Sequence, residues 1–454
     1  MELSVMKFSS SALKNGGYIK AAEIMGERSK HGKAVGIISS VKGSVDLLNE
    51  ASNLAAAGKL EDSASRVSEL YGLYLEEVNK NGYGGGNKLA ELRDELLNLL
   101  RTISVLGEIT PSIKDRVISY AESFSIETFK TAAGSIGIAV DARSGGDWGI
   151  ITDDEYGSAS PLYNSSYQAI KNAVNHAGEN RVLVVGGLTG KTRDGRVTYM
   201  GKGSSDMVAA TFAVTLNADT LEVWSNVDGL MTADPRFISN AKPISRLSYN
   251  EARELLSFNS ELFSPVSLDL LSKQGIKINI KNVNNRDLPG TLIARDSQIS
   301  PNVAKAVAYI DQISIITLEG VNIQKLVPRI LARMIEHGIE IRMMSLSASA
   351  TELSIIVPAC ALNRCKSIIE FEFLGKDIND YHAVNSACAI SIVGEGMKGT
   401  PGVAAKLFNS VARNSINVLM ITQGSSELNI GFVVESSSCI KALKSVHSEF
   451  IESS

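Results

Sequence analysis

Short apolar runs alternate with amphipathic stretches through the first two-thirds of the chain. Leu3 to Phe8 is a strand-length apolar run that meets the polar turn Ser9-Ser10-Ser11, and Ile19 to Met25 has helical spacing. Ala34 to Ile38 is continuously apolar and stops at Ser39-Ser40, which predicts a buried strand. From about Asp46 to Phe129 Leu and Ala recur at helical spacing, interrupted by the Gly-rich stretch Gly82 to Gly86, and this predicts a mostly helical layer. Strand-like runs return at Ser135–Val140, Arg181–Val185, Thr220–Trp224 and Ile276–Ile280, with helical stretches at Ala159–Ala177 and Asp206–Leu216. Strands alternating with helices predict an α/β fold with a largely parallel sheet covered on both faces. Ligands of such sheets sit at the carboxyl ends of strands, so the loops after Met6, Ile38, Val185 and Trp224 are where chemistry is expected.

After about Arg295 the texture changes to an internal repeat. Ile341 to Ser345 followed by Thr351 to Val357 parallels Val418 to Thr422 followed by Leu428 to Val434. Upstream, Ile315 to Gly320 parallels Ser391 to Gly396. Each copy reads strand, Gly-containing turn, helix, strand, turn, strand, helix. A spacing of roughly 75 residues predicts paired βαββαβ modules.

Size and charge narrow the field. A chain of 454 residues exceeds one compact core and suits two or three domains. The net charge of −4 and the lack of long basic clusters give no support to nucleic-acid or anionic-membrane binding. No stretch approaches ~18 uninterrupted apolar residues, so no membrane span is expected. Residues Met1 to Ser11 lack the basic-then-apolar pattern of a secretory signal. Cys360, Cys365, Cys388 and Cys439 form no CxxC pair, and the 5 histidines are scattered. Neither a metal site nor a disulfide framework is expected, and the compartment expected is a reducing cytoplasm.

Three motifs remain. Val185 to Thr192 ends in Gly-Lys-Thr like a P-loop, but Val185 stands where the first glycine belongs, and Arg193 to Arg196 reads as a hairpin turn. In the loop Val197 to Asp206, Gly and Ser open a helix whose free N–H groups favour an anion, with Lys202 adding a point charge. An ordinary Ser/Asp helix cap fits that loop equally well. Val223 to Arg236 is a strand followed by turns, in which Asp234-Pro235 starts a turn and Arg236 is within reach of phosphates.

The order of Lys7-Phe8, Gly145 to Asp153, Gly201 to Asp206, Val227 to Gly229, Asp234 to Arg236 and Leu247 to Ala252 resembles that of aspartate kinases. In the tail, Val393 to Gly402 and Gln423 to Ile430 resemble that family's second ACT module. The resemblance runs from near residue 5 to the end. It implies an amino-acid-kinase-like α/β sandwich over residues 1–298, followed by α+β ACT modules of ferredoxin-like topology over 299–382 and 383–454. It also implies transfer of the γ-phosphoryl of ATP, with Mg2+, to the side-chain carboxylate of L-aspartate, opening the aspartate-family amino-acid pathway. By the same resemblance Lys7 and Asp206 are catalytic, and Ser39, Glu122, Thr198, Lys202 and Ser205 hold the substrate. Ser225, Asn226, Met231 and Arg236, with Lys7, contact the nucleotide; Met397, Gln423 and Asn429 contact an amino-acid effector; and ACT pairing makes a homo-oligomer.

Departures cluster at these motifs. The family's KFGGTS reads Lys7-Phe8-Ser9-Ser10-Ser11-Ala12, so side chains replace glycines that let backbone approach phosphate. A substrate-binding threonine aligns with Val45, next to Ser44, and an arginine with Lys202. A phosphate-facing lysine aligns with Glu261, which puts repulsion where attraction is expected. Glu352 stands where the first ACT copy has an effector-contacting amide. These departures define the alternatives: a catalytically weak paralogue acting as a regulatory or ligand-binding subunit, or a related kinase with another carboxylate acceptor.

Overall fold

A computed structural model describes residues 2–84, 86–177, 182–258, 262–296 and 303–452. The chain divides into two compact units: Met1–Leu230 with Ser245–Tyr249 and Ser260–Asp296, and Met231–Ile244 with Asn250–Asn259 and Ser297–Ser454. The expected domain border at 298/299 thus differs in one respect. Two stretches before it, 231–244 and 250–259, pack with the second unit.

The first unit opens with strand β1 (Glu2–Phe8), helix α1 (Gly17–Ser29) and β2 (Gly32–Ile38). A helical layer follows: α2 (Ser44–Ala56), α3 (Leu60–Lys80), α4 (Asn87–Leu106), α5 (Pro111–Ile118) and α6 (Tyr120–Ser135). Then come β3 (Asp141–Arg143), α7 (Tyr163–His176), β4 (Val182–Gly186), the pair β5 (Thr189–Lys191) and β6 (Val197–Tyr199), α8 (Ser204–Thr215) and β7 (Thr220–Ser225). After β8 (Arg246–Ser248) and α9 (Tyr249–Phe258), α10 (Pro265–Gln274), β9 (Lys277–Asn282) and β10 (Thr291–Ala294) complete the element list up to residue 296.

Eight strands form one sheet in the order β3-β4-β2-β1-β7-β9-β10-β8, parallel except where β10 meets β9. The strand expected at Ser135–Val140 lies instead at Asp141–Arg143, because α6 continues to Ser135 and residues 136–140 turn before pairing begins. Strand alternation sends Met6, Phe8, Ala34, Val182 and Val184 into one core with α1 to α6. The opposite face carries the equally buried Val5, Val35, Ile37, Leu183 and Val185, and α8 packs against β1, β2 and β7. Phe8 stands level with both Ile38 and Trp224, and Ile38 with Gly186, so the four central strands β4, β2, β1 and β7 end together. Their turns therefore converge on one edge, the carboxyl edge that the alternation predicts. The P-loop look-alike is a β5–β6 hairpin with no helix directly after it.

The second unit is built on β11 (Ala306–Glu319), α11 (Val327–Glu336), β12 (Met343–Leu346), β13 (Glu352–Pro358), α12 (Leu362–Glu372) and β14 (Asp380–Val393). It continues through α13 (Val403–Ala412), β15 (Met420–Thr422), β16 (Asn429–Glu435) and α14 (Cys439–His447). All six strands join one antiparallel sheet, β12-β13-β11-β14-β16-β15. Both repeats are there, but the expected border at 382/383 falls inside β14, a 14-residue strand serving both. The start of β11 (Ala306 to Ile310) pairs with the end of β14, and its later part (Ile313 to Glu319) pairs with β13 and the start of β14. Two helix-covered cores result, one around Leu318, Met334, Ile355 and Ile369, the other around Ile390, Leu407, Phe432 and Leu443.

The cysteine expectation needs a correction. Cys388 on β14 and Cys439 at the start of α14 form a disulfide, their Cα atoms 5.7 Å apart across 51 residues of sequence. That separation hides the neighbourhood that the fold creates. Among the described residues no helix is long and apolar enough to cross a membrane.

One tyrosine ties the helical layer to the turn after β2. Tyr74 of α3 is fully buried and stacks on Phe124; its hydroxyl accepts from Val41 N–H (3.1 Å), donates to the Ala121 carbonyl (3.1 Å) and meets Ser44 Oγ (3.1 Å). Tyr74→Phe keeps the ring and strands three buried polar groups, so it should lower unfolding free energy by about 1–3 kcal/mol in urea titrations. An unchanged midpoint would mean that the hydroxyl contributes nothing.

Candidate functional site

The carboxyl edge of the first unit gathers several of the polar residues that the sequence singles out. Lys7 lies near the end of β1 and Asp206 in the first turn of α8; both are buried, with Lys7 Nζ 2.8 Å from Asp206 Oδ1. The other carboxylate oxygen, Oδ2, accepts the Ser264 N–H at 2.8 Å. Burial raises the Asp206 pKa, and the adjacent Lys7 charge works against that rise. The helix start fits an acid, since first-turn carboxylates meet the positive end of the helix dipole. Gly203 caps α8 at φ 83°, a conformation that costs side chains and suits glycine.

Ser205, one residue before Asp206, receives the Ser39 hydroxyl at 3.0 Å. Ser39 follows β2; its N–H donates to the Phe8 carbonyl (3.1 Å), and its carbonyl accepts the Ser125 hydroxyl (2.9 Å). The turns after β1 and β2 and the N-terminus of α8 are thereby joined. Gly187 completes the junction after β4. Its N–H donates to the Ile38 carbonyl, and a Cβ there would lie 2.7 Å from Ser205 Cβ.

Glu122 is a buried acid on α6 rather than a surface one. It accepts hydrogen bonds from Leu188 N–H (2.8 Å), Thr189 N–H (3.1 Å), the Thr189 hydroxyl and Gly145 N–H. Burial pushes its pKa up from 4.5 to about 7, and these donors restrain the rise. The stretch Gly186 to Thr189, which drew notice only as a P-loop look-alike, is in fact the seat of this carboxylate. Thr198 on β6 is buried and paired with the Thr152 hydroxyl at 2.7 Å. Lys202 is exposed in the turn before α8. The hydroxyl of Ser44, the neighbour of Val45, is committed to Tyr74.

Two serines after Lys7, Ser9 at a family glycine and Ser11 at the family threonine, form a chain. Ser9 Oγ meets Ser11 Oγ at 2.9 Å, and Ser11 Oγ meets Ser225 Oγ at 3.2 Å, linking the turn after β1 to the end of β7. Asn226 is exposed directly after it. Met231 and Arg236 belong to the second unit, where Asp234 binds the Arg236 guanidinium. Also in the second unit, Met397 is a core residue, Gln423 is exposed, and the Asn429 amide donates to Glu254. Glu261 lies outside the described residues.

No motif singles out Thr189, Thr152, Ser264 or Asp115 as a site residue. Asp115 Oδ2 accepts Tyr199 N–H (2.7 Å) and Gly157 N–H (3.1 Å), fixing the strand that carries Thr198. Each acts through a backbone or side-chain contact made across more than 40 residues. Among the described residues no group of three or more His, Cys, Asp or Glu could hold a metal ion. The first unit thus offers a buried cation–anion pair, a helix N-terminus and several hydroxyls: an arrangement for holding anions in place rather than for activating a nucleophile.

Residues 2–282 match the model of the amino acid kinase family and residues 390–450 that of the ACT domain. A bifunctional aspartokinase/homoserine dehydrogenase of Haemophilus influenzae is 27% identical over 461 residues, covering 98% of this chain. The match spans just over half (56%) of that longer relative. An aspartokinase of Bacillus sp. is 28% identical over 399 residues, covering 86% of this chain and 94% of the relative. In overall fold the chain is similar to a crystal structure of E. coli aspartokinase III in complex with aspartate and ADP, with a TM-score of 0.79, 19% identity and 99% of each chain covered. With more than half of its length matched by that family's model, the chain belongs to the amino acid kinase family.

Proposed function

We propose that this protein is an aspartate kinase, transferring the γ-phosphoryl group of ATP to the side-chain carboxylate of L-aspartate to give 4-phospho-L-aspartate. The observation that carries the reading is the buried Lys7–Asp206 pair at the carboxyl edge of a parallel sheet, beside the Ser39–Ser205 contact. Relatives named aspartokinase along most of the chain support it. The similar E. coli structure, which held aspartate and ADP, supports the same two ligands here.

The chemistry suits the residues. An acceptor carboxylate is already a nucleophile, so no strong base is required; two anions must instead be held together and their charge offset. Lys7 supplies a charge at the transferring phosphoryl group, and Asp206 fixes the direction of its ammonium. Ser39, Thr198, Lys202 and Ser205 bind aspartate, with Lys202 as a point charge for a carboxylate rather than a bidentate clamp. Glu122 attracts the substrate ammonium while bracing the Gly186–Thr189 turn. Ser225, Asn226, Met231 and Arg236 contact the nucleotide. Mg2+ fits this donor set as an ion carried by the nucleotide's phosphates, since one or two carboxylates and phosphate oxygens suffice to hold it. The reading makes the protein a cytoplasmic enzyme, homo-oligomeric through its ACT-like unit and open to an amino-acid effector near Met397, Gln423 and Asn429. A weak paralogue is the poorer reading: the Lys7–Asp206 pair is intact, and the Ser9 and Ser11 hydroxyls bond to each other and to Ser225.

The test is ADP release from MgATP with and without L-aspartate, with the acyl phosphate trapped by hydroxylamine. Wild type should form hydroxamate only with aspartate, and Lys7→Ala should lose about 1000-fold or more of the rate. Aspartate-independent turnover, or equal rates in the two proteins, would sink the reading.

Glu122 adds a pH dependence. Its folded pKa, about 7, stands above the unfolded 4.5, so between those values the folded state holds a proton that the unfolded chain has released. Its contribution to stability is complete below pH 4.5 and is lost as pH rises through about 7. Glu122→Gln should therefore flatten the fall in denaturation midpoint between pH about 5 and about 7.5, relative to wild type. Parallel curves for the two proteins would contradict the assignment.

A further inference from the structure

The β5–β6 hairpin is too short to hold itself. Each strand has 3 residues, paired as Thr189–Tyr199, Gly190–Thr198 and Lys191–Val197, and two-stranded ribbons are marginal in water even when longer. Two buried acids on neighbouring helices grip it instead. Glu122 of α6 takes the N–H groups of Leu188 and Thr189 where β5 begins. Asp115 of α5 takes the Tyr199 N–H where β6 ends. Thr189 and Tyr199 face each other across the hairpin, so the two acids hold the same rung.

Asp115 also reaches a second segment. It is 1% exposed, and one oxygen, Oδ2, receives both the Tyr199 N–H (2.7 Å) and the Gly157 N–H (3.1 Å). The Tyr199 N–H shares a planar peptide unit with the Thr198 carbonyl, so an acid 84 residues away in sequence sets the orientation of that unit. Gly157 belongs to the loop 153–160, which Asp153 closes. Asp153 Oδ1 accepts the Ser160 N–H at 3.0 Å, and the Asp153 N–H donates to the Ser160 carbonyl at 3.1 Å. Ala159 N–H donates to the Tyr199 carbonyl at 3.0 Å, joining the loop to β6. The loop then lies against Gly201, where an added Cβ would sit 3.6 Å from Ser158 Cα. Gly201 immediately precedes Lys202 in the turn that leads into α8. A single buried oxygen thus ties down the strand that carries Thr198 and the loop against which the Lys202 turn rests.

We propose that Asp115 is a positioning residue for the acceptor: by holding Tyr199 and Gly157 on one carboxylate oxygen, it keeps Thr198 and Lys202 where they receive aspartate. The inference rests on the assignment of Thr198 and Lys202 to aspartate. Without that oxygen two N–H groups lose their acceptor, and the hairpin and the loop are no longer held to each other through α5. Contact groups displaced by an ångström weaken the grip on the substrate they serve and leave a partner bound elsewhere untouched.

The experiment measures ADP release by the full chain, giving kcat and the KM values for aspartate and ATP. Asp115→Ala should raise the aspartate KM about fivefold to twentyfold and leave the ATP KM within about twofold. Asp115→Asn keeps an oxygen able to accept both N–H groups and should recover most of the loss. Val67→Ala, a cavity in the same helical layer, should lower the denaturation midpoint without moving either KM. Gly157→Ala disturbs the anchor from its exposed end: at φ 91° a side chain is disfavoured, although nothing stands within 4 Å of it. That protein should fold and show an aspartate KM raised about twofold to fourfold, and it decides the matter if Asp115→Ala does not fold. If Thr198→Val or Lys202→Ala raises the aspartate KM while Asp115→Ala and Gly157→Ala leave it unchanged, the positioning role is overturned and the acceptor assignment stands. If Thr198→Val and Lys202→Ala both leave it unchanged, the assignment and the inference fall together. Equal rises in the two KM values, or the same rise in Val67→Ala, would reduce the effect to general loosening and overturn the inference too.

Discussion

A cation and an anion taken out of water together are tolerated only while each stays within reach of the other. Lys7 and Asp206 meet that condition because the end of β1 and the start of α8 are fixed by different forces. Parallel pairing with β2 and β7 sets the lysine, and the Gly203 turn and the Ser264 N–H set the aspartate. Removing either partner would leave an uncompensated buried charge, a loss of about 3–5 kcal/mol in comparable sites. The neighbouring contacts depend on the same registration: Ser205 reaches Ser39 only while α8 begins where it does, and Gly187 fits against Ser205 only because it lacks a side chain.

Glu122 carries a second constraint of the same kind, solved with neutral donors. It takes N–H and O–H groups from the turn after β4 and from Gly145. Cohesion of the turn therefore comes from one carboxylate, the same group that the proposed function assigns to the substrate ammonium.

Much of this could be read from the sequence. The apolar runs ending at Phe8, Ile38, Val185 and Trp224 locate the central strands. Lys7, Asp206, Ser39 and Ser205 came from motif order, and the fold brings them together. The partners that hold them stayed hidden. Thr189, Asp115 and Ser264 act through contacts with residues more than 40 positions away, and local patterns carry no information about such pairs. The Cys388–Cys439 bond was missed for the same reason, since only the packing of α14 on β14 brings the two together. The strand at Asp141–Arg143 was placed too early because Ile136 to Val140 is apolar enough to read as a strand, although the turn after α6 has not yet returned the chain to the sheet.

The long strand β14 has a consequence of another sort. The first repeat ends on it, the second begins on it, and the start of β11 supplies the neighbour that the second repeat has no strand of its own to provide. The tandem cannot be cut between its copies without severing a strand that both use. A bend imposed on one half of β14 is felt along the same backbone in the other.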